Sequence, residues 1–139
     1  MAMQTTVERV EARVPVTVMA LSGELDASNY LRLVDDVRPL YAAGARNLLL
    51  DLSDLSFISS SGLVSLYSIL KVMQGEEPPD PEYGWNALHT MERDAEDGKT
   101  QDVVRLCGMQ PAVADVIQRT GLDALFPNYP DREAALAAY

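Results

Sequence analysis

The feature that most constrains how this chain can fold is an unbroken apolar run, Leu48-Leu49-Leu50, followed downstream by three adjacent serines and a glycine, Ser59-Ser60-Ser61-Gly62. A short leucine run of this kind is typical of a strand that is buried on both faces between parallel neighbours. Apolar residues at helical spacing follow the serines, so the pattern predicts a strand over 47–52, a polar connection and a helix. The start of a helix suits a capping oxygen or a phosphate, and the residues leave both roles open.

Strands and helices alternate along the rest of the chain. β-branched and apolar residues predict strands over 14–21 and 103–106, with an earlier strand over 7–13. The predicted helices begin at residues that cap or start helices well: Asp26 or Ser28, Ser59, Pro111 and Asp131. This alternation indicates an α/β class, in which helices cover a sheet.

Boundaries of these elements follow from local turn chemistry. Ser22–Asp26 is expected to close the first long strand, and Pro127–Pro130 is expected to be a turn. In the first helix, Leu31 is expected on the buried face and Pro39 is expected to cause a kink or an early end. Gly44 then supplies a stop.

The composition changes over residues 74–100, where prolines, glycines and acidic residues exclude a continuous helix. A segment of this length is usually functional or disordered when it interrupts a compact domain. We expect a surface excursion with one short helix, anchored by Trp85, with disorder as the alternative. The whole chain, 1–139, is expected to form one domain around this insert.

Charge and composition exclude several kinds of partner. The formal net charge of −10 argues against nucleic acid and against anionic membrane surfaces. No apolar run is long enough to cross a bilayer and the N-terminus has no secretory pattern, so a cytoplasmic location is expected. The single cysteine, Cys107, is expected to be a buried apolar residue.

The sequence gives little support for a catalytic or a metal-binding function. A serine nucleophile needs a base, and the single histidine, His89, lies in the insert. The carboxylates of Asp26, Asp51 and Asp54 would suit magnesium, but capping and turn hydrogen bonds explain these residues more simply. We therefore expect no enzyme, no metal site and no cofactor.

Three sets of residues resemble the sulfate transporter and anti-sigma factor antagonist (STAS) domains, in particular the bacterial anti-sigma factor antagonists. Leu21–Asp26 resembles the family's strand-end Gly-Glu-Leu-Asp. Leu50–Ser53 and Phe57–Leu63 resemble its Asp-Leu-Ser and Phe-Ile-Asp-Ser-Ser-Gly-Leu signature. Thr120–Phe126 and Ala134–Leu136 resemble its C-terminal Thr-Gly-Leu and closing helix. From their order and spacing, the chain is identified as a member of this family.

The resemblance implies a mixed sheet of about four to five strands covered by about four helices. It also implies an anti-sigma factor antagonist that is switched by phosphorylation. The unphosphorylated form would bind an anti-sigma factor serine kinase and free a sigma factor, and a phosphatase would reset the switch. By position the acceptor is Ser60, with Ser61 as the runner-up. The residues implied in partner binding are Asp26, Ser59, Ser60, Ser61, Gly62 and Leu63.

The chain departs from the family at two places. Ser59 occupies the position of the Asp before the acceptor, and the insert over 74–100 follows the helix that the family uses for partner contact. Serine can still cap the helix, but the negative charge is lost. Two alternatives therefore stay open. One is a constitutive STAS interaction subunit of a transporter or signalling assembly, and the other is a small-molecule or nucleotide sensor at the helix start near Ser60.

Overall fold

The computed structural model describes residues 3–78, 89–91, 93–94 and 101–139. In chain order these residues form β1 (Gln4–Glu11), β2 (Pro15–Leu25), α1 (Tyr30–Ala42), β3 (Leu48–Ile58), α2 (Ser60–Met73), β4 (Val104–Cys107), α3 (Pro111–Arg119), a 3-10 turn (Leu122–Ala124), β5 (Asn128–Tyr129) and α4 (Arg132–Ala137). The spatial order of the strands is β1-β2-β3-β4-β5. β1 is antiparallel to β2 and the other pairs are parallel, which confirms the predicted mixed α/β sheet.

β3 is the central strand, and both of its faces are buried at its start. Leu48, Leu50 and Leu52 pack into the larger core beneath α1 and α2, whereas Leu49 lies in a smaller core under α4. Cys107 belongs to this smaller core, as expected of a buried apolar residue. Its burial raises the pKa of the thiol to about 12, so the thiol stays protonated.

The predicted ends of β2 and β3 are wrong. β2 continues through Leu25 and β3 through Ile58, where a connection was expected. The pairing has two register shifts, so that residues 20–24 of β2 lie opposite residues 51–57 of β3. Polar residues that indicate a turn in the sequence therefore occupy bulges in a continuous strand, and Ser56 donates from Oγ to the carbonyl of Gly23 at 3.0 Å.

α1 differs from its prediction in three ways. It begins after Asn29 rather than after a cap at Asp26 or Ser28. It continues through Pro39 to Ala42, so it does not end early at this proline, which lies in its last turn. Leu31 is 46% exposed, so its expected burial is wrong. The residues that α1 buries are Leu33, Val34 and Val37.

The chain after α3 holds a further difference. The expected turn at Pro127–Pro130 contains β5, because the N–H of Leu106 donates to the carbonyl of Pro127 at 2.9 Å and Gly108 to Tyr129 at 3.1 Å. Asp131 caps α4 as predicted, with its carboxylate accepting from the N–H of Ala134 at 2.8 Å.

The described part of the insert packs on α2. Residues 89–91 and 93–94 are helical, and Met91 is buried in the larger core. The hydroxyl of Tyr67 donates to the carboxylate of Asp94 at 2.8 Å. The predicted anchor, Trp85, lies outside the described residues. Within the described ranges no helix is long and apolar enough to span a membrane.

A charged contact attaches α4 to the sheet. Arg132 donates to one carboxylate oxygen of Asp51 at 3.1 and 2.9 Å, and it also contacts Glu8. Ser53 donates from its N–H and its hydroxyl to the other oxygen of Asp51. Partial burial acts to raise the pKa of Asp51, but the hydrogen bonds from Ser53 and Arg132 outweigh it, so the pKa lies below its usual value.

The first turn of α2 approaches β2 very closely at Gly62. A Cβ atom at this position would lie 2.6 Å from Cγ1 of Ile58 and 2.8 Å from the carbonyl oxygen of Leu25. Since the second of these atoms belongs to the backbone, it cannot move aside as a side chain would. Glycine at this position sets how close α2 packs to the sheet.

We expect Arg132→Met to lower the free energy of unfolding by about 1–2 kcal/mol at neutral pH, between the values for exposed and buried ion pairs. The loss should shrink as the pH falls below about 4. A carboxyl whose pKa is lower in the folded than in the unfolded state contributes its full stability at a pH above the unfolded-state pKa, and this stability is lost when the carboxyl is protonated. Urea denaturation at a series of pH values measures this. The control is Arg119→Met, whose exposed partner Asp115 predicts a loss below about 0.5 kcal/mol. Equal losses in the two variants would contradict the prediction.

We expect Gly62→Ala to destabilise the fold by about 1–3 kcal/mol, since the added methyl group overpacks the contact with Leu25 and Ile58. Helix propensity alone predicts the opposite sign, a gain of about 0.5–1 kcal/mol. Thermal and urea unfolding distinguish the two. The neighbouring Ser61→Ala should change stability by less than about 0.5 kcal/mol.

Candidate functional site

The candidate site lies at the carboxyl ends of β2 and β3. Leu25 and Ile58 form the last pair of the parallel ladder, so Asp26 and Ser59 leave adjacent strands at the same edge of the sheet. The N–H of Ser59 donates to the carbonyl of Leu25 at 3.0 Å, which joins the two chain segments just before α2 begins.

Ser59 is the N-cap of α2. Its backbone is extended, with φ of −94° and ψ of 177°, and its Oγ accepts from the N–H of Gly62 at 3.2 Å. Its carbonyl accepts the first helical bond, from Leu63 at 3.0 Å. The serine that replaces the family's aspartate therefore retains the capping geometry, but it supplies no charge. The first turn of α2 contains no acidic residue to balance the positive end of the helix dipole.

Ser60 is the first residue of α2 and its side chain is exposed. Ser61, the second, is half-buried. Backbone N–H groups at these two positions have no acceptor within a helix. A negatively charged group on Ser60 would therefore lie where the helix offers free donors and a positive potential.

Two residues of the implied partner-binding set lie beneath this surface rather than on it. Gly62 and Leu63 are both buried, the first against Leu25 and Ile58 and the second in the larger core. Direct contact with a partner is thus open to Asp26, Ser59, Ser60 and Ser61, whereas Gly62 and Leu63 position them.

A compact turn holds Asp26 beside the serines. One oxygen of its carboxylate accepts from the N–H and the hydroxyl of Ser28, at 2.9 and 2.6 Å. These bonds lower the pKa of Asp26, so the carboxylate is charged at neutral pH. The site thus presents one fixed negative charge next to an uncharged, exposed hydroxyl.

Sequence reasoning assigned no place at this site to two residues that lie there. Asn29 is 8% exposed; its amide donates to the carbonyl of Glu24 at 2.8 Å and its Oδ1 accepts from the N–H of Asp26 at 3.0 Å, which holds the turn closed. Phe57 is 45% exposed and pairs with Glu24 near the same end of the sheet. The sequence signal for Asn29 was its place after Asp26 in a predicted turn. The sequence signal for Phe57 was an aromatic residue two positions before the serines.

The residues considered for catalysis or metal binding do not converge. Asp51 is engaged by Arg132 and Ser53, and Asp26 by Ser28. His89 is exposed on the insert. Over the described ranges, no group of three or more His, Cys, Asp or Glu side chains is placed to hold a metal ion.

Comparisons with known proteins agree with this geometry. The sequence model of the protein family described as the STAS domain matches residues 8–76 of this chain. The putative anti-sigma factor antagonist BtrV of Bordetella bronchiseptica is 24% identical over 137 residues, which cover 99% of this chain and 95% of that protein. The crystal structure of an anti-sigma factor antagonist from Mycobacterium paratuberculosis is similar with a TM-score of 0.67 and 26% identity, covering 99% of this chain and 93% of that one.

A third similarity concerns the fold alone. The Bacillus cell fate determinant SpoIIAA, in its phosphorylated form, has a TM-score of 0.57 and 16% identity to this chain, covering 98% of this chain and 100% of that one. The matched model, the sheet order and the serine-bearing helix start agree with one another. The chain belongs to the STAS domain family.

Proposed function

We propose that this protein is an anti-sigma factor antagonist whose partner is an anti-sigma factor with serine kinase activity. The unphosphorylated form binds the kinase and thereby releases a sigma factor. Phosphorylation of Ser60 ends this binding, and a phosphatase restores it. The protein acts as a regulator rather than an enzyme, in the cytoplasm, and a single domain over 1–139 performs this role.

The observation that carries the proposal is the exposed hydroxyl of Ser60 at the first position of α2. A kinase must reach this oxygen from solvent, and neither Ser59 nor Ser61 offers the same access, since both are half-buried and Ser59 accepts the capping bond. After transfer, the phosphate would lie at the positive end of the helix dipole, which favours the modified state of this residue.

Similar proteins support the class of partner. BtrV and the Mycobacterium protein are described as anti-sigma factor antagonists, and each is covered almost completely by this chain. SpoIIAA, which resembles this chain in fold, exists in a phosphorylated form. A phosphorylatable residue at the start of α2 is the simplest use of the geometry around Ser60.

The size of the effect is sufficient for a switch. A phosphate adds about −1.5 to −2 charges at neutral pH. Burying such a charge without a matched partner at an interface costs roughly 2–5 kcal/mol. Because about 1.4 kcal/mol corresponds to tenfold in affinity, one phosphate can separate bound from free forms without a large change of shape. The negative carboxylate of Asp26 lies beside the site, so a phosphate there would place a second negative charge on the same surface and add to its repulsion of an anionic group.

One observation favours a second function, a constitutive interaction subunit of a transporter or signalling assembly. Ser59 supplies the cap without a charge, so the site has lost a feature that the family places next to its acceptor. If a kinase needs this charge, the surface around Ser60 would bind its partner without being modified.

Incubation with Mg-ATP and the serine kinase encoded nearest to this gene tests the switch, with mass spectrometry to locate the phosphate. We expect one phosphate on Ser60, none in Ser60→Ala, and kinase binding at least tenfold weaker for Ser60→Glu, by the penalty for a buried unpaired charge. Ser61→Ala is the matched control and should still be phosphorylated. A protein that binds the kinase without being modified supports the constitutive function, and label on Ser61 in the wild type overturns the assignment to Ser60.

The role of Ser59 is separable by two substitutions. Ser59→Ala should lower the free energy of unfolding by about 1 kcal/mol, because Gly62 loses its capping acceptor. Ser59→Asp retains a cap and adds a negative charge near the helix start, so it should be at least as stable as the wild type. Urea denaturation measures both, and initial rates of phosphorylation compare them as substrates. A stability loss of the same size in both variants would show that the cap is not the role of Ser59.

A further inference from the structure

A cavity of about 480 Å³ lies at the opposite end of the sheet from Ser60. It lies between the edge strand β1, the amino end of β2, and the end of α1 with the loop after it. Its walls include Val7, Pro15 and Leu40, and the segment 43–47 closes one side. Since β3 is 11 residues long, the cavity and the serines are separated by on the order of 30 Å.

Among the described residues, the hydrogen bonds between α1 and the start of β1 lie in the first half of the helix, away from the cavity. Near the start of α1, Arg32 donates to the carbonyl of Met3 at 2.8 Å and Asp36 accepts from the hydroxyl of Thr5 at 3.4 Å. Just after the end of the helix the loop carries small residues, Ala43 and Gly44, where a larger side chain would fill the space. Val7 is left 47% exposed on the facing strand.

The charge of the lining is opposite to that of the protein. The chain carries a formal net charge of −10, yet the cavity is lined by Arg9 and Arg46 and by no acidic residue. Nη1 of Arg46 donates to the carbonyls of Tyr41 and Ala45, at 2.9 and 2.8 Å, and the guanidinium stacks on the ring of Tyr41 at 4.0 Å. Among the described residues, these contacts orient the group and engage one of its three nitrogens, so the others remain for a ligand.

Arg9 makes one ion pair with another side chain in the described structure. Its Nε lies 3.0 Å from a carboxylate oxygen of Glu11, and both side chains are largely exposed. Exposed pairs of this kind contribute little free energy and exchange readily. The Nη atoms of Arg9 therefore provide a second cationic group at the apolar wall formed by Val7 and Leu40.

We propose that this cavity binds a small molecule with an apolar body and one anionic group, such as a carboxylate. The volume lies within the range of small-molecule sites, and such sites combine apolar walls with a few placed polar groups. A guanidinium whose position is already set by its own contacts binds a carboxylate at low entropic cost. The site is independent of the serine switch at the other end of the sheet.

Titration of the ¹⁵N-labelled full chain with octanoate tests this, with 1-octanol as the uncharged match of the same chain length. We expect saturable shifts of the amide signals of Val7, Arg9 and residues 43–47, and an affinity for octanoate about tenfold above that for 1-octanol, the value of one charge-assisted hydrogen bond. Signals around Ser60 should not move.

Variants assign the contacts. Arg9→Gln and Arg46→Gln should each weaken octanoate several-fold and leave 1-octanol unchanged, and Ala43→Phe should fill the cavity and abolish the binding of both. Arg119→Gln removes one positive charge from α3, away from the cavity, and serves as the control. Since Arg46 also bonds carbonyls at the end of α1, thermal unfolding checks that variant, and Arg9→Gln tests the charge even if Arg46→Gln is unstable.

Three outcomes would overturn the proposal. The first is the absence of saturable shifts at the cavity, and the second is equal affinity for octanoate and 1-octanol. The third is an octanoate affinity that Arg9→Gln lowers no more than Arg119→Gln does.

Discussion

The contact between the first turn of α2 and the carbonyl of Leu25 is the constraint on which the candidate site depends. This carbonyl accepts the N–H of Ser59 and lies so close to Gly62 that no side chain fits there. The two contacts together fix the direction in which α2 leaves the sheet. They also fix the side of the helix that faces solvent, so that Ser60 is exposed while Leu63 enters the core. The position of the exposed Ser60 is thus set by backbone packing at Gly62.

The two register shifts between β2 and β3 make this contact possible. β3 gains residues relative to β2 before the last pair, Leu25 with Ile58, is formed. Bulges increase the local twist of a strand and redirect the residues that follow. Without them the ladder would bring a different residue to the position of Ser59, and neither the helix cap nor the serine cluster would meet the turn at Asp26. The bulges are consequently part of the site, although they lie before it in the sequence.

The domain has two ends of different character. At the carboxyl end of the parallel strands, an uncharged hydroxyl lies beside the fixed negative charge of Asp26. At the amino end, two guanidinium groups border an apolar cavity. Between them, the contact of Arg132 with Asp51 holds the short helix α4 against the sheet and completes the smaller core. A phosphate at the first end and an anionic ligand at the second would act on surfaces that share no residue.

Local interactions decide what could be predicted from the sequence alone. The apolar run of β3, the capping serine of α2, the proline that begins α3 and the aspartate that caps α4 each depend on residues within a few positions, and all were predicted. The place of Ser60 at the start of α2 follows from the same local signals with the family signature. Tertiary structure decided the rest. Ser53 and Ser56 lie in a strand because β2 pairs with it, and β5 exists because β4 lies beside it. Leu31 is exposed because α1 packs on the sheet through Leu33, Val34 and Val37. The cavity near Arg46 depends on how far a helix stands from a strand, and that distance is set by contacts between residues remote in the chain, which no local pattern records.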